Sequence, residues 1–227
     1  MERGKLIVID GGDGAGKATQ VTLLVKRLVS EGYQVETLDF PQYTQNTFGA
    51  LIRECLDGKR GDFLAVDPRI ASTLFAADRF ETKPRIERWL NESRVVILDR
   101  YVSANMMHQG AKLHDPEELE SFLGWLDHME HDVFELPRPD QIIYLAVPYE
   151  VRERLKAQAV SEGKHSARTT DQHEASATFQ AATEARARAI VAEKNDWVAI
   201  ECTDGEEMRD RQDIHEEIYQ AVKKIIK

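Results

Sequence analysis

Short apolar runs alternate with amphipathic stretches along this chain. Five runs are rich in apolar and β-branched residues, and most of them have no polar face, which is typical of strands buried in a parallel sheet. They cover residues 6–10, 34–40, 95–99, 142–147 and 197–202. Between them, apolar residues recur at helical spacing. The alternation predicts an α/β protein, a three-layer sandwich in which helices cover both faces of a five-stranded parallel sheet.

Capping signals mark several helix ends. Asp67, followed by a proline, is predicted to open a long helix that runs toward Glu92. Asp115, also followed by a proline, opens a later helix with two glutamates in its first turn. Gly32 is expected to end the first helix, and an apolar stripe over residues 48–56 predicts a further amphipathic one.

Composition and charge narrow the class of protein. The chain has 227 residues, 42% of them hydrophobic, which suits a single domain over residues 1–227. Its 30 Lys and Arg against 40 Asp and Glu give a net charge of −10, which argues against nucleic acid as the main partner. The longest apolar runs, 95–98 and 142–147, are far shorter than the roughly 20 residues of a membrane span. Cys55 and Cys202 lack metal-ligand spacing, which favours buried, reduced thiols and a cytoplasmic location.

A glycine-rich loop follows the first predicted strand and opens the first predicted helix. Its residues are Gly11, Gly12, Asp13, Gly14, Ala15, Gly16 and Lys17, with Ala18 and Thr19 at the helix start. Glycines let backbone N–H groups converge on phosphate oxygens, and the helix N-terminus adds partial positive charge. Lys17 can reach the β- and γ-phosphates, so the loop is predicted to bind ATP.

One position departs from the usual pattern of such loops. The residue after the lysine is normally Ser or Thr, whose hydroxyl binds Mg²⁺, but here it is Ala18. Thr19 points elsewhere on the helix and is not a simple substitute. We expect Mg²⁺ to be held by phosphate oxygens, water and acidic groups, with Asp13 and Asp99 as the candidates.

Polar residues also end the other predicted strands. Asp10, Asp99 and Arg100 follow buried runs directly, and Phe40 and Pro41 follow the second strand. In parallel sheets, ligands bind in the crevice at the carboxyl ends of the strands. These residues are therefore expected to share one site with the phosphate loop.

Together with the loop, five segments resemble the thymidylate kinase family, which phosphorylates dTMP to dTDP with ATP. They are Phe40-Pro41, residues 74–79 (LFAADR), 99–101 (DRY), 136–140 (LPRPD) and 171–174 (DQHE). The order and spacing fit over about residues 4–202. The resemblance implies a P-loop kinase fold, ATP and dTMP as substrates, Mg²⁺ as cofactor and a homodimer.

The resemblance also implies a site for the acceptor base. Phe75 and Arg79 lie four residues apart and share a helix face. In the family, the matching phenylalanine stacks on thymine and the matching arginine contacts the edge of the base. Asn105 and Gln109, again four apart, could hydrogen-bond the same edge, and Phe40 and Pro41 are expected in the acceptor site.

Phosphate and sugar contacts are implied for three more residues. Arg100 resembles the arginine that binds the acceptor phosphate and stabilises the moving charge. Asp13 resembles the acidic residue near the sugar hydroxyl and acceptor phosphate, and Glu174 the glutamate that follows the lid. With Lys17, these complete the expected polar site, except for an arginine from the lid.

Residues 156–173 are predicted to form a mobile lid, because most of the stretch lacks apolar side chains. Closure over the phosphates would exclude water and prevent futile hydrolysis. In relatives whose loop has glycine at the position of Gly14, the catalytic arginine comes from the lid. Arg168 is the first candidate here, followed by Lys164 and Arg154.

Two other functions are also compatible with these residues. A kinase for another mononucleotide or nucleoside would share the loop and the Asp-Arg strand end, and His108 stands where the family usually has a bulky aromatic that blocks a ribose 2′-OH. A non-catalytic nucleotide-binding protein is supported by Ala18 alone. The stripe over residues 48–56 could be a dimer face, although packing within the protomer explains it equally well.

Overall fold

A five-stranded parallel sheet forms the centre of the protein. The computed structural model describes residues 2–161 and 176–226. The strands are β1 (Lys5–Gly11), β2 (Val35–Asp39), β3 (Val95–Asp99), β4 (Gln141–Ala146) and β5 (Trp197–Glu201). Their order is β2-β3-β1-β4-β5, and every neighbouring pair is parallel. The predicted strands are confirmed, with each boundary within one residue of its expected place.

Helices connect the strands within the described residues. They are α1 (Lys17–Ser30), α2 (Thr47–Leu56), α3 (Pro68–Asn91), α4 (Val102–His108), α5 (Pro116–Asp127), α6 (Tyr149–Ser161), α7 (Ala177–Glu193) and α8 (Arg211–Lys223). A short antiparallel hairpin of β6 (Thr203–Asp204) and β7 (Glu207–Met208) follows β5. Of the helices in this part of the chain, none is long and apolar enough to cross a membrane.

Each face of the sheet has its own apolar core. On β1, Leu6 and Val8 point into one cluster, and Ile7 and Ile9 into the other. The first cluster includes residues of α3, α4 and α7, and the second includes residues of α1, α6 and α8. Because successive residues of a strand face opposite sides, an apolar strand of this kind needs cover on both. The predicted three-layer sandwich is confirmed.

The predicted helix ends are found where the capping signals place them. The Asp67 carboxylate accepts hydrogen bonds from the backbone N–H groups of the second and third residues after it, at 2.8 and 3.3 Å. Asp115 accepts from the backbone N–H of Glu118 at 2.9 Å. Gly32 follows α1 with φ 91°, a left-handed conformation that glycine adopts without strain. These caps fix where α3, α5 and α1 begin or end.

One local feature was not predicted. After α5 the chain forms a π-helical turn, His128–Val133, before it enters β4 through a loop. The turn carries Glu130 into the interior, where its side chain is fully buried.

The apolar stripe on α2 packs mainly within the protein. Ile52, Cys55 and Leu56 form a buried cluster with Phe63 and with Ala71 of α3. The end of the stripe at residue 48 is exposed. The homodimer stays a prediction, since packing inside the protomer accounts for most of the stripe. Both cysteines are free and buried, as expected.

Candidate active site

A cleft of about 560 Å³ opens at the carboxyl ends of the strands. It brings together residues that were predicted from separate parts of the sequence. They are Asp13, Gly14, Gly16, Lys17, Ala18, Thr19, Phe40, Pro41, Phe75, Arg79, Asp99, Arg100, Asn105 and Gln109. The phosphate loop forms one end of the cleft, and side chains of α3 and α4 form the other. Such a cleft can hold two ligands side by side, one on the loop and one against the helices.

The loop wraps around the amino group of Lys17. Gly14 and Gly16 both have φ 88°, so each occupies the left-handed region that favours glycine. The Lys17 Nζ donates to the carbonyls of Gly11 at 3.1 Å and Gly12 at 3.2 Å. Burial and the nearby charge of Arg100 lower the pKa of Lys17, against the opposing effect of acidic neighbours. A negatively charged ligand in the loop would favour the charged lysine.

Asp13 joins the loop to the end of β3. Its Oδ1 lies 2.8 Å from the Arg100 Nη2 and 3.7 Å from the Lys17 Nζ. Burial acts to raise the pKa of Asp13, but the two cations outweigh it and hold that pKa well below its usual range. A carboxylate that stays ionised between two cations can hold both at the phosphate end of the cleft.

Arg100 has an uncommon backbone conformation that aims its side chain. Its φ is 67°, and its backbone N–H donates to the carbonyl of Ile9 at 3.1 Å. The Nη1 lies 3.0 Å from the Nε2 of His108 and 3.5 Å from the Oδ1 of Asp10. Left-handed residues other than glycine are strained and often functional. The guanidinium is thereby directed back over β1, toward the loop.

Asp10 is a site residue whose role the sequence did not specify. Its side chain is fully buried and accepts hydrogen bonds from the backbone N–H of Gly11 at 2.8 Å and the hydroxyl of Ser103 at 2.6 Å. It also faces Arg100. This carboxylate therefore ties the start of the loop to α4 and to the arginine.

Asp99 is one of the two carboxylates that were predicted to hold Mg²⁺. It lines the cleft at the end of β3, and no hydrogen bond to its carboxylate is found among the described residues. Burial raises the pKa of Asp99, while the charges of Lys17 and Arg100 oppose the shift. Within the described residues, no group of three or more His, Cys, Asp and Glu side chains could hold a metal ion. A single carboxylate beside phosphate oxygens and water is a common protein contribution to a Mg²⁺ site.

The far end of the cleft combines an aromatic ring with amide and guanidinium groups. Phe75 is half-buried and packs against Phe63, with ring centroids 6.0 Å apart. Arg79 and Asn105 are almost fully buried and both bind the Glu130 carboxylate. This set can stack on a planar ring and hydrogen-bond its edge.

Gln109 places a buried side-chain amide in the wall of the cleft. It is fully buried in the cleft wall, and its Nε2 and Oε1 both lack a hydrogen-bond partner among the described residues. Buried amides of this kind usually have partners. A polar ligand in the cleft would supply them, as expected for a base-edge contact.

Arg152 of α6 is a second residue that the sequence did not identify. It is buried behind the phosphate loop, where its Nη1 donates to the carbonyl of Asp13 at 3.3 Å and to the Oε1 of Gln180 at 3.2 Å. Its Nε donates to the carbonyl of Val147 at 3.2 Å. The guanidinium occupies the space beside Gly12, because a Cβ on that glycine would lie 2.3 Å from its Cζ. The glycine is therefore required for the arginine to support the loop.

Of the two arginines predicted for the lid, Arg154 lies among the described residues and Arg168 does not. Arg154 lies two residues beyond Arg152 and points to another side of α6, where it contacts Glu206 and Glu207 on the hairpin. Arg168 and Glu174 lie outside the described residues. So do residues 162–173 of the predicted lid, while 156–161 form the end of α6.

The fold and the loop together define a P-loop nucleotide-binding protein of the phosphotransferase type, whose cleft extends from the phosphate loop to α3 and α4. Residues 9–218 match the family model described as thymidylate kinase. The chain belongs to the thymidylate kinase family.

Several characterised proteins are similar to this chain. Thymidylate kinase of Mycobacterium tuberculosis is 36% identical over 181 residues, which cover 78% of this chain and 81% of that protein. The human thymidylate kinase is 34% identical over 143 residues, covering 63% and 61% of the two chains. A solved structure of thymidylate kinase from Candida albicans has a TM-score of 0.73 at 23% identity and covers 98% of this chain and 92% of its own. The similarity to that structure supports the P-loop kinase fold.

Proposed function

We propose that this chain transfers the γ-phosphoryl group of ATP to dTMP and releases dTDP and ADP. The observation that carries the proposal is that the phosphate loop shares one cleft with Phe75, Arg79 and Asn105. One end offers amides and a lysine to a triphosphate, and the other offers a ring and a polar edge to a pyrimidine. Membership of the thymidylate kinase family supports the same substrates.

On the donor side, the loop amides and Lys17 bind the phosphates of ATP. Lys17 is held within the loop by two carbonyls and is placed to neutralise charge on the β- and γ-phosphates. Transfer is direct and in line, so positioning and charge neutralisation provide most of the acceleration. No covalent intermediate on the protein is required.

On the acceptor side, Arg100 binds the phosphate of dTMP. Asp13 holds the guanidinium at 2.8 Å and keeps it beside the loop, where charge develops during transfer. The second pKa of a phosphate monoester is about 6, so the attacking oxygen is already charged at neutral pH and needs no general base. Phe75 stacks on the base, while Arg79, Asn105 and Gln109 contact its edge, and Phe40 and Pro41 lie beside the nucleotide.

Mg²⁺ is the cofactor that the site fits. Because Ala18 has no hydroxyl, the metal would be held by phosphate oxygens and water, with Asp99 and then Asp13 as the acidic groups. Asp99 is the stronger candidate, since Asp13 is already paired with two cations. The ion would neutralise charge on the transferred group.

The remaining expectations extend beyond the cleft. We expect a single domain with a lid over residues 156–173, Arg168 as its catalytic arginine and Glu174 near the sugar. We also expect a homodimer, for which Phe48 on α2 and Phe80 on α3 offer exposed apolar surface. Free, buried cysteines are consistent with an enzyme of the cytoplasm.

The test is ADP release from Mg·ATP with a panel of acceptors. The panel contains dTMP, dUMP, dCMP, ribothymidine monophosphate, thymidine and no acceptor. Turnover with dTMP well above every other acceptor would support the proposal. ATP binding without ADP release from any mixture would contradict it and favour a non-catalytic nucleotide-binding protein.

A further inference from the structure

Glu130 binds two of the three residues that form the polar edge of the acceptor pocket, Arg79 and Asn105, although it does not line the cleft itself. Its Oε2 and Oε1 accept from the Nε and Nη2 of Arg79 at 2.8 and 2.5 Å. The same Oε1 accepts from the Nδ2 of Asn105 at 2.8 Å. Arg79 and Asn105 do line the cleft, whereas Glu130 is fully buried behind them. A group in this position can act on a ligand only through these two neighbours.

The paired carboxylate fixes the direction of the Arg79 guanidinium. Two of its five N–H groups bind Glu130, and Nη1 donates a third to the carbonyl of Tyr101 at 3.2 Å. The fork-shaped pairing leaves little freedom of rotation. Only the remaining N–H groups can face the cleft, so Arg79 presents a hydrogen-bond donor to a bound base.

The same carboxylate fixes which end of the Asn105 amide faces the cleft. The Nδ2 donates to Glu130 and, at 3.2 Å, to the carbonyl of Ser72. Both partners are acceptors only, so the NH₂ group must point toward them and the Oδ1 must point away. Asn105 therefore presents an acceptor beside the donor of Arg79.

A donor next to an acceptor matches one kind of pyrimidine. Thymine and uracil have a C4 carbonyl, which accepts, beside an N3–H, which donates. Cytosine has the reverse pattern, with an amino donor at C4 and an acceptor at N3. A cytosine in this orientation would place donor against donor and acceptor against acceptor, which costs far more than a missing methyl group.

We propose that Glu130 is the positioning residue that makes the pocket select thymine-type over cytosine-type nucleotides, through the orientation of Arg79 and Asn105. The inference rests on the proposed function, because it takes the pocket at Phe75 as the base site. It assigns a specificity role to a side chain that never touches the substrate.

Glu130→Gln tests the inference with almost no change of volume. If the new amide oxygen accepts from the Arg79 Nε, its NH₂ group faces Asn105, whose amide can then rotate and present Nδ2 to the cleft. We expect the ratio of kcat/KM for dTMP to that for dCMP to fall at least about tenfold, which is one hydrogen bond of discrimination. The KM for dTMP should rise, while the KM for ATP should stay unchanged.

Glu135→Gln is the matched control. Glu135 also pairs with α3, through Lys83 at 3.0 Å, but it is exposed and lies outside the cleft. In this variant the ratio of kcat/KM for dTMP to that for dCMP should stay within about twofold of the wild-type ratio, because a surface ion pair contributes little. A merely structural role of Glu130 would lower activity on both acceptors alike, because fewer molecules would be folded, and would leave the ratio unchanged. That result would overturn the inference.

A second variant keeps the test decisive if Glu130→Gln does not fold. Asn105→Leu keeps the Glu130–Arg79 pair but removes the acceptor that Glu130 orients, and should lower the same ratio at least about tenfold. An unchanged ratio would overturn the inference. Calorimetric binding of dTMP and dCMP, which needs no turnover, gives the ratio separately from catalysis. Wild-type protein that binds dTMP selectively without phosphorylating it would contradict the proposed function, and loss of that selectivity in Glu130→Gln would still support the role of Glu130.

Discussion

The contact between Gly12 and Arg152 yields the most specific stability prediction. Gly12 does not require a left-handed conformation, so its backbone would accept alanine. A Cβ there would nevertheless lie 2.3 Å from both the Cζ and the Nη1 of Arg152. The Gly12→Ala substitution must therefore displace a buried guanidinium.

The expected loss of unfolding free energy follows from the hydrogen bonds that the Arg152 guanidinium would lose. Arg152 donates three hydrogen bonds, to Val147, Asp13 and Gln180, at 3.2 to 3.3 Å. At a net contribution of about 1 kcal/mol each, Gly12→Ala should lower the free energy of unfolding by about 3 kcal/mol. Arg152→Ala removes the same bonds and should cost a similar amount. The double variant should also cost about 3 kcal/mol, rather than the sum of about 6, because the clash has no partner left.

Urea unfolding of the wild type, both single variants and the double variant measures this coupling. Gly124→Ala is the control, since a Cβ at that glycine of α5 meets nothing within 4 Å and alanine favours a helix. If the losses of unfolding free energy of the two single variants simply add in the double variant, Arg152 does not occupy the space beside Gly12.

Four further predictions concern single residues. Lys17→Ala should reduce kcat at least about a hundredfold with little change in the unfolding midpoint, and substantial turnover would count against the loop assignment. Arg79→Ala should raise the KM for dTMP far more than the KM for ATP, and equal changes in the two would contradict the place of Arg79 at the base. Because the variant leaves Glu130 buried with only Asn105 as a partner, its free energy of unfolding should fall by about 3–5 kcal/mol. Asp99→Asn should raise the Mg²⁺ concentration needed for half-maximal rate, and an unchanged requirement would remove Asp99 from the metal site. Burial lowers the pKa of Lys112 from 10.5 to about 8. Between these two pH values the unfolded chain binds more protons than the folded protein, so the free energy of unfolding increases as the pH rises from about 8 to 10.5. Lys112→Met should lose that increase in urea titrations at several pH values, and an identical slope would contradict the pKa shift.

Local patterns predict most of the fold. The apolar runs locate each strand to within one residue, and Asp67 and Asp115 locate helix starts, because capping and strand burial depend on neighbours in sequence. The π-helical turn at His128–Val133 has no such signal, since it depends on how α5 packs.

The candidate site is predicted only in part, for a related reason. Asp13, Lys17 and Arg100 stand in short motifs at strand ends, so their approach follows from the parallel topology. Glu130 is 51 positions from Arg79, and Arg152 is 139 positions from Asp13. Partners so far apart can be identified only from the packed structure.

The most direct test of the central claim is product analysis of a mixture of the protein, Mg·ATP and dTMP. Mass spectrometry of quenched samples should show dTDP and ADP formed in equal amounts, and Lys17→Ala should form at least about a hundredfold less of each in the same time. ADP without dTDP would mean hydrolysis rather than transfer to dTMP. If the protein binds both ATP and dTMP but consumes neither, the cleft is not a phosphotransferase site.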